Sequence, residues 1–193
     1  MYKIYPYKNK ITKSNRSRIK NQSSICIWLT GRSGSGKSTI AQMLEEKLIA
    51  NGKHTYVLDG DNLRSSINKD LKFSKTDRIE NIRRTAEIAK MFVDAGLIVI
   101  VALISPFSKG RAYAKNIFAK KEFFEIFINT PLSTCIQRDN KNLYKSSKKN
   151  KKINSIGLRG LYEEPKKPFL SISTKNNDPD FQVNKILKKI FKI

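Results

Sequence analysis

From residue 25 onward the chain alternates short aliphatic runs with longer amphipathic ones. Ile25-Cys26-Ile27-Trp28-Leu29-Thr30 is apolar almost throughout and ends at glycines, the pattern of a parallel strand buried on both faces. Gly31 to Gly36 reads as a loop, and Lys37-Ser38-Thr39 opens an amphipathic helix that runs to about Ala50, where Asn51-Gly52 stops it. His54 to Leu58 reads as a second strand leading into Asp59-Gly60-Asp61. A long helix is predicted from about Lys75 to Ala95, because Ile79, Ile82, Ala86, Ala89 and Val93 keep three-to-four spacing and Gly96 follows. Leu97 to Ile104, Phe123 to Ile128 and Phe169 to Ile172 supply three more strands. Aliphatic strands alternating with helices predict an α/β, three-layer fold: a mostly parallel five-stranded sheet with helices on both faces. Residues 1–22 show neither period and read as a basic arm, 23–193 as one domain, and 139–168, rich in Lys, Asn and Ser, as a flexible lid within it.

A length of 193 residues suits one domain, and 39% hydrophobic residues are enough for a proper core. No apolar run approaches the ~20 residues of a membrane span, and the N-terminus lacks the apolar stretch of a secretory signal. Cys26 and Cys135 both lie in apolar surroundings, which excludes a disulfide framework and fits a reducing, cytoplasmic setting. The net charge of +23 concentrates in residues 1–22, in Lys145 to Lys152 and in Lys185 to Lys192. Such charge is read either as solvated surface or as a polynucleotide site. Without aromatics interleaved in the basic runs, no specific nucleic acid is expected. In both cases the charge concentrates anionic small molecules near the protein. The lone His54 reads as a strand-entry residue.

Gly31-Arg32-Ser33-Gly34-Ser35-Gly36-Lys37-Ser38 satisfies the phosphate-loop pattern in its required strand–loop–helix context. Glycines let successive backbone N–H groups turn inward on a phosphate chain, and the helix start adds its positive end. Lys37 reaches the β- and γ-phosphates of ATP, Ser38 ligates Mg²⁺, and Thr39 faces the α-phosphate side. No Asn-Lys-x-Asp guanine-reading motif is present, and the chain is short for a motor ATPase. A small P-loop kinase, with a lid to exclude water, fits what remains.

The acceptor side is sought at the carboxyl end of the second strand, where open parallel sheets bind ligands. Asp61, with Asp59 behind it, is the candidate carboxylate for orienting an acceptor hydroxyl and helping to hold Mg²⁺. Arg64 has the planar fork that suits an oxyanion. Arg78 shares a helix face with Asn81, and Asn81 with Arg84. Basic residues in a first turn run against the helix dipole, which points to an anion that offsets them. Phe73 is either core or a platform for a base. Ser105 is either a phosphate-contacting or phosphorylated hydroxyl, or a plain helix-start serine before Pro106.

These stretches together resemble the adenylylsulfate kinase family. The likeness rests on Trp28-Leu29-Thr30-Gly31 through Thr39, Leu58 to Arg64, and Asp77-Arg78 with Glu80-Asn81-Ile82-Arg83-Arg84. It continues through Ala95 to Val99, Ile104-Ser105-Pro106-Phe107, Thr130-Pro131-Leu132, Arg138-Asp139 with Lys141 and Leu143-Tyr144, and Tyr162-Glu163 with Pro165. The resemblance implies transfer of a phosphoryl group from ATP to the 3′-hydroxyl of adenosine 5′-phosphosulfate, and a homodimer. It places Arg64, Arg78 and Asn81 on the phosphosulfate and Phe73 against the adenine. Ile104 and Phe107 line the same pocket, Asp61 lies near the 3′-hydroxyl, and Arg138 near the adenine of ATP. Ser105 matches a serine described in bacterial members as a phosphoserine intermediate, although direct transfer needs no such step.

The sequence departs from the family at two places. Arg32 stands where an aliphatic residue is usual, and residues 154–162 replace a segment that carries a second stacking aromatic, with Ser155 roughly in its place. Three readings follow: Ile156 or Leu158 substitutes, affinity for the base is lower, or the acceptor is another nucleotide such as a cytidylyl conjugate.

Overall fold

The computed structural model describes residues 5–139, 142, 144, 145, 161–175 and 178–191. Most of the expected lid, including Ser155, Ile156 and Leu158, lies outside the described residues. The strands are β1 (Cys26–Thr30), β2 (Thr55–Asp59), β3 (Ile98–Ala102), β4 (Phe123–Ile128) and β5 (Leu170–Ile172). The helices are α1 (Lys13–Ile19), α2 (Lys37–Ala50), α3 (Gly60–Ser65), α4 (Lys75–Asp94), α5 (Ser108–Asn116), α6 (Leu132–Gln137) and α7 (Pro179–Phe191). The sheet runs in the order β2-β3-β1-β4-β5, and every pairing in it is parallel.

The aliphatic runs divide cleanly by strand parity, since successive side chains face opposite sides of a sheet. Ile27, Leu29, Ile98, Ile100 and Ala102 pack against Ile40, Ala41, Leu44 and Leu48 of α2 and Val183, Ile186 and Leu187 of α7. Cys26, Trp28, Val99 and Val101 face the other way, onto Ile82, Ala86, Ala89 and Val93 of α4 and Ala114 of α5. Three layers result, as the sequence predicts. With β1 at the centre, the chain moves to one side for β2 and β3 and to the other for β4 and β5. The carboxyl ends of β1, β2 and β3 therefore open into a common crevice.

The arm differs from its reading as a segment without helical order. Residues 13–19 form α1, begun by a reciprocal cap between Thr12 and Asn15. No residue of α1 is buried, so no apolar period announces it. Polar ties hold it instead. Lys13 pairs with Glu122, Arg16 with Asp94, and the Gln22 amide donates to the carbonyls of His54 and Gly96, each at 2.9 Å. His54 and Gly96 precede β2 and β3, so this part of the arm docks at the sheet edge opposite the crevice. No helix among the described residues is long and apolar enough to cross a membrane.

Candidate active site

The loop after β1 is forced into shape by its surroundings. Gly36, the N-cap of α2, has φ +97°, and a Cβ there would come within 3.1 Å of Thr174. Gly34 has φ +75° and would place a Cβ 2.7 Å from the Cys135 carbonyl oxygen. Both positions demand glycine on backbone conformation as well as on space. Below the loop, the hydroxyls of Thr130 and Thr174 donate to the Ser35 carbonyl at 3.0 and 2.9 Å. Arg138 donates to the Thr174 hydroxyl at 2.7 Å and to its carbonyl at 2.6 Å. The Tyr144 hydroxyl donates to the Ser33 carbonyl at 2.8 Å. The carbonyls of Ser33 and Ser35 are thus both held by side chains of the surrounding segments.

One cleft of about 1290 Å³ begins at this loop and extends past the ends of β2 and β3 to the start of α4. Ser33, Gly34, Gly36, Lys37, Ser38 and Thr39 line its first end. Gly31, Arg32 and Ser35 do not. Ser35 is fully buried over the two threonines, and the Arg32 guanidinium lies 5.3 Å from the centre of the Tyr162 ring. The Arg32 carbonyl still matters to the site, because the Lys37 ammonium donates to it at 2.7 Å.

Asp59 joins the two halves. It caps α3 by accepting from the Asp61 N–H at 2.9 Å, and its other oxygen accepts from the Ser38 hydroxyl at 2.8 Å. It is Asp59, rather than Asp61, that meets the phosphate-loop serine directly; Asp61 lines the cleft one step further along. A hydroxyl and carboxylates at this point are hard oxygen donors, the set that suits Mg²⁺ shared with phosphate oxygens. Among the described residues there is no group of three or more His, Cys, Asp or Glu side chains that could hold a metal ion.

The far end is cationic. Arg64 donates to the carbonyls of Leu71 and Lys72 at 3.2 and 3.0 Å, and Arg78 donates to the Phe73 carbonyl at 3.2 Å. Their guanidinium carbons lie 4.6 and 5.3 Å from the centre of the Phe73 ring. Among the described residues neither arginine has a carboxylate within ion-pair distance. Burial, and then the charge of Arg64, pushes Arg78 down to about 10; burial lowers Arg64 as well. The charges of Asp61 and Asp77 partly offset the burial of Arg64, and a pair of desolvated guanidinium groups is chemistry suited to an anion. Arg84 behaves differently, being held by Asp70 at 2.7 Å and Glu80 at 2.9 Å, with Glu80 also binding Arg83. Of the three arginines in the first turns of α4, Arg78 is the one with no carboxylate within ion-pair distance among the described residues.

Phe73 is 54% exposed at the cleft rim, which rules out its reading as core. Asn81 and Ile104 line the cleft as the sequence leads one to expect. Phe107 does not. It is 2% exposed and serves as the N-cap residue of α5, with its ring below Lys75. Ser105 reaches the cleft but is 2% exposed, and its hydroxyl accepts from the Trp28 indole N–H at 3.0 Å. Its φ of +45° is rare for a residue with a side chain. Buried Arg111 holds this turn, donating to the Ser105 carbonyl at 2.7 Å, to the Glu163 carbonyl at 2.6 Å and to Glu125 at 2.8 Å. Sequence reasoning missed Thr174 and Arg111 and gave Thr130 only within a family motif, because nothing local marks a side chain whose partners lie far along the chain.

Known proteins share this arrangement. The family profile described as Adenylylsulphate kinase matches residues 23–173. An adenylyl-sulfate kinase of Pseudomonas aeruginosa is 47% identical over 180 residues, covering 93% of this chain and 92% of that protein. One from Bacteroides thetaiotaomicron is 44% identical, covering 97% of this chain and 94% of its own. The bifunctional enzyme NodQ of Rhizobium meliloti is 51% identical over 170 residues, which is 88% of this chain but 26% of NodQ, so the chain spans about a quarter of that relative's length. Among solved structures, the APS kinase CysC of Mycobacterium tuberculosis in complex with AMPPNP and APS superposes with a TM-score of 0.82 at 40% identity, covering 88% of this chain and 98% of that one. The chain belongs to the adenylylsulphate kinase family.

Proposed function

We propose that this protein transfers the γ-phosphoryl group of ATP to the 3′-hydroxyl of adenosine 5′-phosphosulfate, giving ADP and 3′-phosphoadenosine 5′-phosphosulfate. The observation that carries the reading is the continuity of one cleft, with a phosphate loop at one end, Arg64 and Arg78, without an ion pair among the described residues, at the other, and Asp59 and Asp61 along it. The relatives named adenylyl-sulfate kinase support the same activity.

Backbone N–H groups of residues 33–39 and the Lys37 ammonium hold the triphosphate, and Arg138 with Thr174 borders its adenine end. Ser38, with Asp59 and Asp61 beside it, would hold Mg²⁺, which supplies positive charge to the phosphate oxygens when bound. Arg64, Arg78 and Asn81 bind the phosphosulfate, Phe73 offers its exposed face to the acceptor adenine, and Ile104 closes the apolar wall. Asp61 orients the 3′-hydroxyl and accepts its proton as the new P–O bond forms and the bond to the β-phosphate oxygen breaks. Because this transition state is loose, positioning does most of the work, and no covalent step on the protein is required. The Trp28–Ser105 hydrogen bond supports a structural part for Ser105. We also expect a homodimer, which sedimentation velocity tests; a related chain from Thiobacillus denitrificans is described as hexameric.

Coupled ADP release with Mg-ATP, run against adenylylsulfate and a cytidylyl analogue side by side, tests the assignment. Turnover with adenylylsulfate, its loss by at least about a hundredfold in Asp61→Asn, and retained ATP binding in that variant are expected. Preference for the cytidylyl compound would refute the acceptor assignment.

A further inference from the structure

The turn between α3 and α4 contains a buried polar side chain for which the reaction above has no role. Asn68 is 0% exposed and is fixed at both ends of its backbone, its N–H donating to the Leu63 carbonyl at 2.8 Å and its carbonyl accepting from Leu71 at 3.1 Å. Its side-chain Nδ2 donates to Oδ1 of Asn81 at 3.1 Å, inside the protein. Its own Oδ1 is buried and has no hydrogen-bond partner among the described residues. A half-satisfied amide in a protein interior is a standing cost that an apolar side chain of similar size would not carry. A buried amide kept under those terms calls for an explanation in what its donor does.

Asn81 is 4% exposed and lines the cleft beside Arg78. A carboxamide can present either a carbonyl oxygen or an NH₂ group, and the two ends are nearly identical in shape. Toward a phosphosulfate, which only accepts hydrogen bonds, one end attracts and the other repels. We propose that Asn68 is a positioning residue for the acceptor anion: its donation to Asn81 Oδ1 fixes the Asn81 amide so that the NH₂ end is the one turned to the cleft. The inference rests on the proposed reaction, in that Asn81 must meet the anionic part of the acceptor. The turn is also tied to α4 on the surface, where Arg84 binds Asp70 and the Ile67 carbonyl, as well as in the interior by the two asparagines. The outer tie holds the turn in place, and the inner one sets the direction of a ligand-facing group.

Asn68→Asp tests the idea with almost no change in shape. A carboxylate at this position cannot donate, so Asn81 turns its NH₂ inward and offers its oxygen to the anion. Steady-state kinetics should then show KM for adenylylsulfate raised about tenfold or more, with KM for ATP within about twofold of wild type. In an Asn81→Ala background the same substitution should add less than about twofold, because the group it directs is gone. Three results overturn the proposal: an unchanged KM for adenylylsulfate, equal rises for both substrates, or an undiminished effect in the Asn81→Ala background. If the aspartate variant does not fold, Asn68→Ala carries the same comparison. Should that fail to fold too, Asn68 is scaffold and the proposal falls. A wild-type enzyme idle on adenylylsulfate would instead contradict the proposed reaction, a separate outcome read from the same assay.

Discussion

Single side chains decide what the cleft can hold, and their partners separate binding residues from framework. Arg78 and Arg84 are six residues apart on α4 and look alike in sequence, yet Arg84 is tied by two carboxylates and Arg78 by none among the described residues. Spacing shows which residues share a face; it does not show which are already occupied, since Asp70 reaches Arg84 from outside the helix. The same blindness hides Thr174. Its hydroxyl accepts from Arg138 and donates to Ser35, and its methyl group packs over Gly36. Thr174→Val keeps the shape and removes the hydroxyl's hydrogen bonds to Arg138, Ser35 and Thr130. We expect a stability loss of about 1 kcal/mol, since hydrogen bonds are lost while the Ser35 carbonyl keeps Thr130 and Arg138 keeps the Thr174 carbonyl. KM for ATP should rise several-fold while KM for the acceptor stays put, as read by thermal denaturation and initial rates. Equal effects on both substrates would show that Thr174 supports the whole cleft rather than the phosphate loop.

Among the elements, the strands were the most legible. Runs such as Ile98–Ala102 and Cys26–Thr30 admit few other readings, and the parity of their side chains built both halves of the core. Helix α1 was illegible for the opposite reason, having no buried residue and being held by ion pairs to Asp94 and Glu122 that lie about 80 to 110 positions away. Helix α4 lies between these cases, with an apolar stripe that was plain and a charge network that was not. Hydrogen bonds from Arg83, then Arg84, hold the Glu80 carboxyl at about 2, below its ordinary 4.5. A carboxylate held low in the folded state contributes stability above pH 4.5 and loses that contribution as the pH falls toward 2. Glu80→Gln should therefore melt below wild type at pH 6, with the gap closing as the pH drops through that window. The exposure of the cluster keeps the gap small. A gap that stays constant from pH 6 to pH 2 would mean that the ion pairs contribute nothing.

For the molecule as a whole, charge is the dominant fact. Of the 16 acidic residues against 39 Lys and Arg, several are spent on structure, with Asp70, Glu80, Asp94, Glu122, Glu125 and Asp180 all in ion pairs. The excess positive charge would concentrate ATP and the proposed anionic acceptor near the protein. Raising ionic strength from about 0.05 to 0.5 M shortens the screening length severalfold. We expect kcat/KM for adenylylsulfate to fall by about threefold or more over that range, with kcat nearly constant. A fall in kcat alone would point to a salt effect on closure or product release. The order β2-β3-β1-β4-β5 gathers the ends of β1 and β2 at one edge, so a phosphoryl donor and an alcohol acceptor can meet there. Phosphorus NMR of the reaction mixture tests that meeting most directly. One new 3′-phosphomonoester on adenosine 5′-phosphosulfate should appear for each ADP formed. ADP accompanied by free phosphate, with the acceptor unchanged, would contradict it.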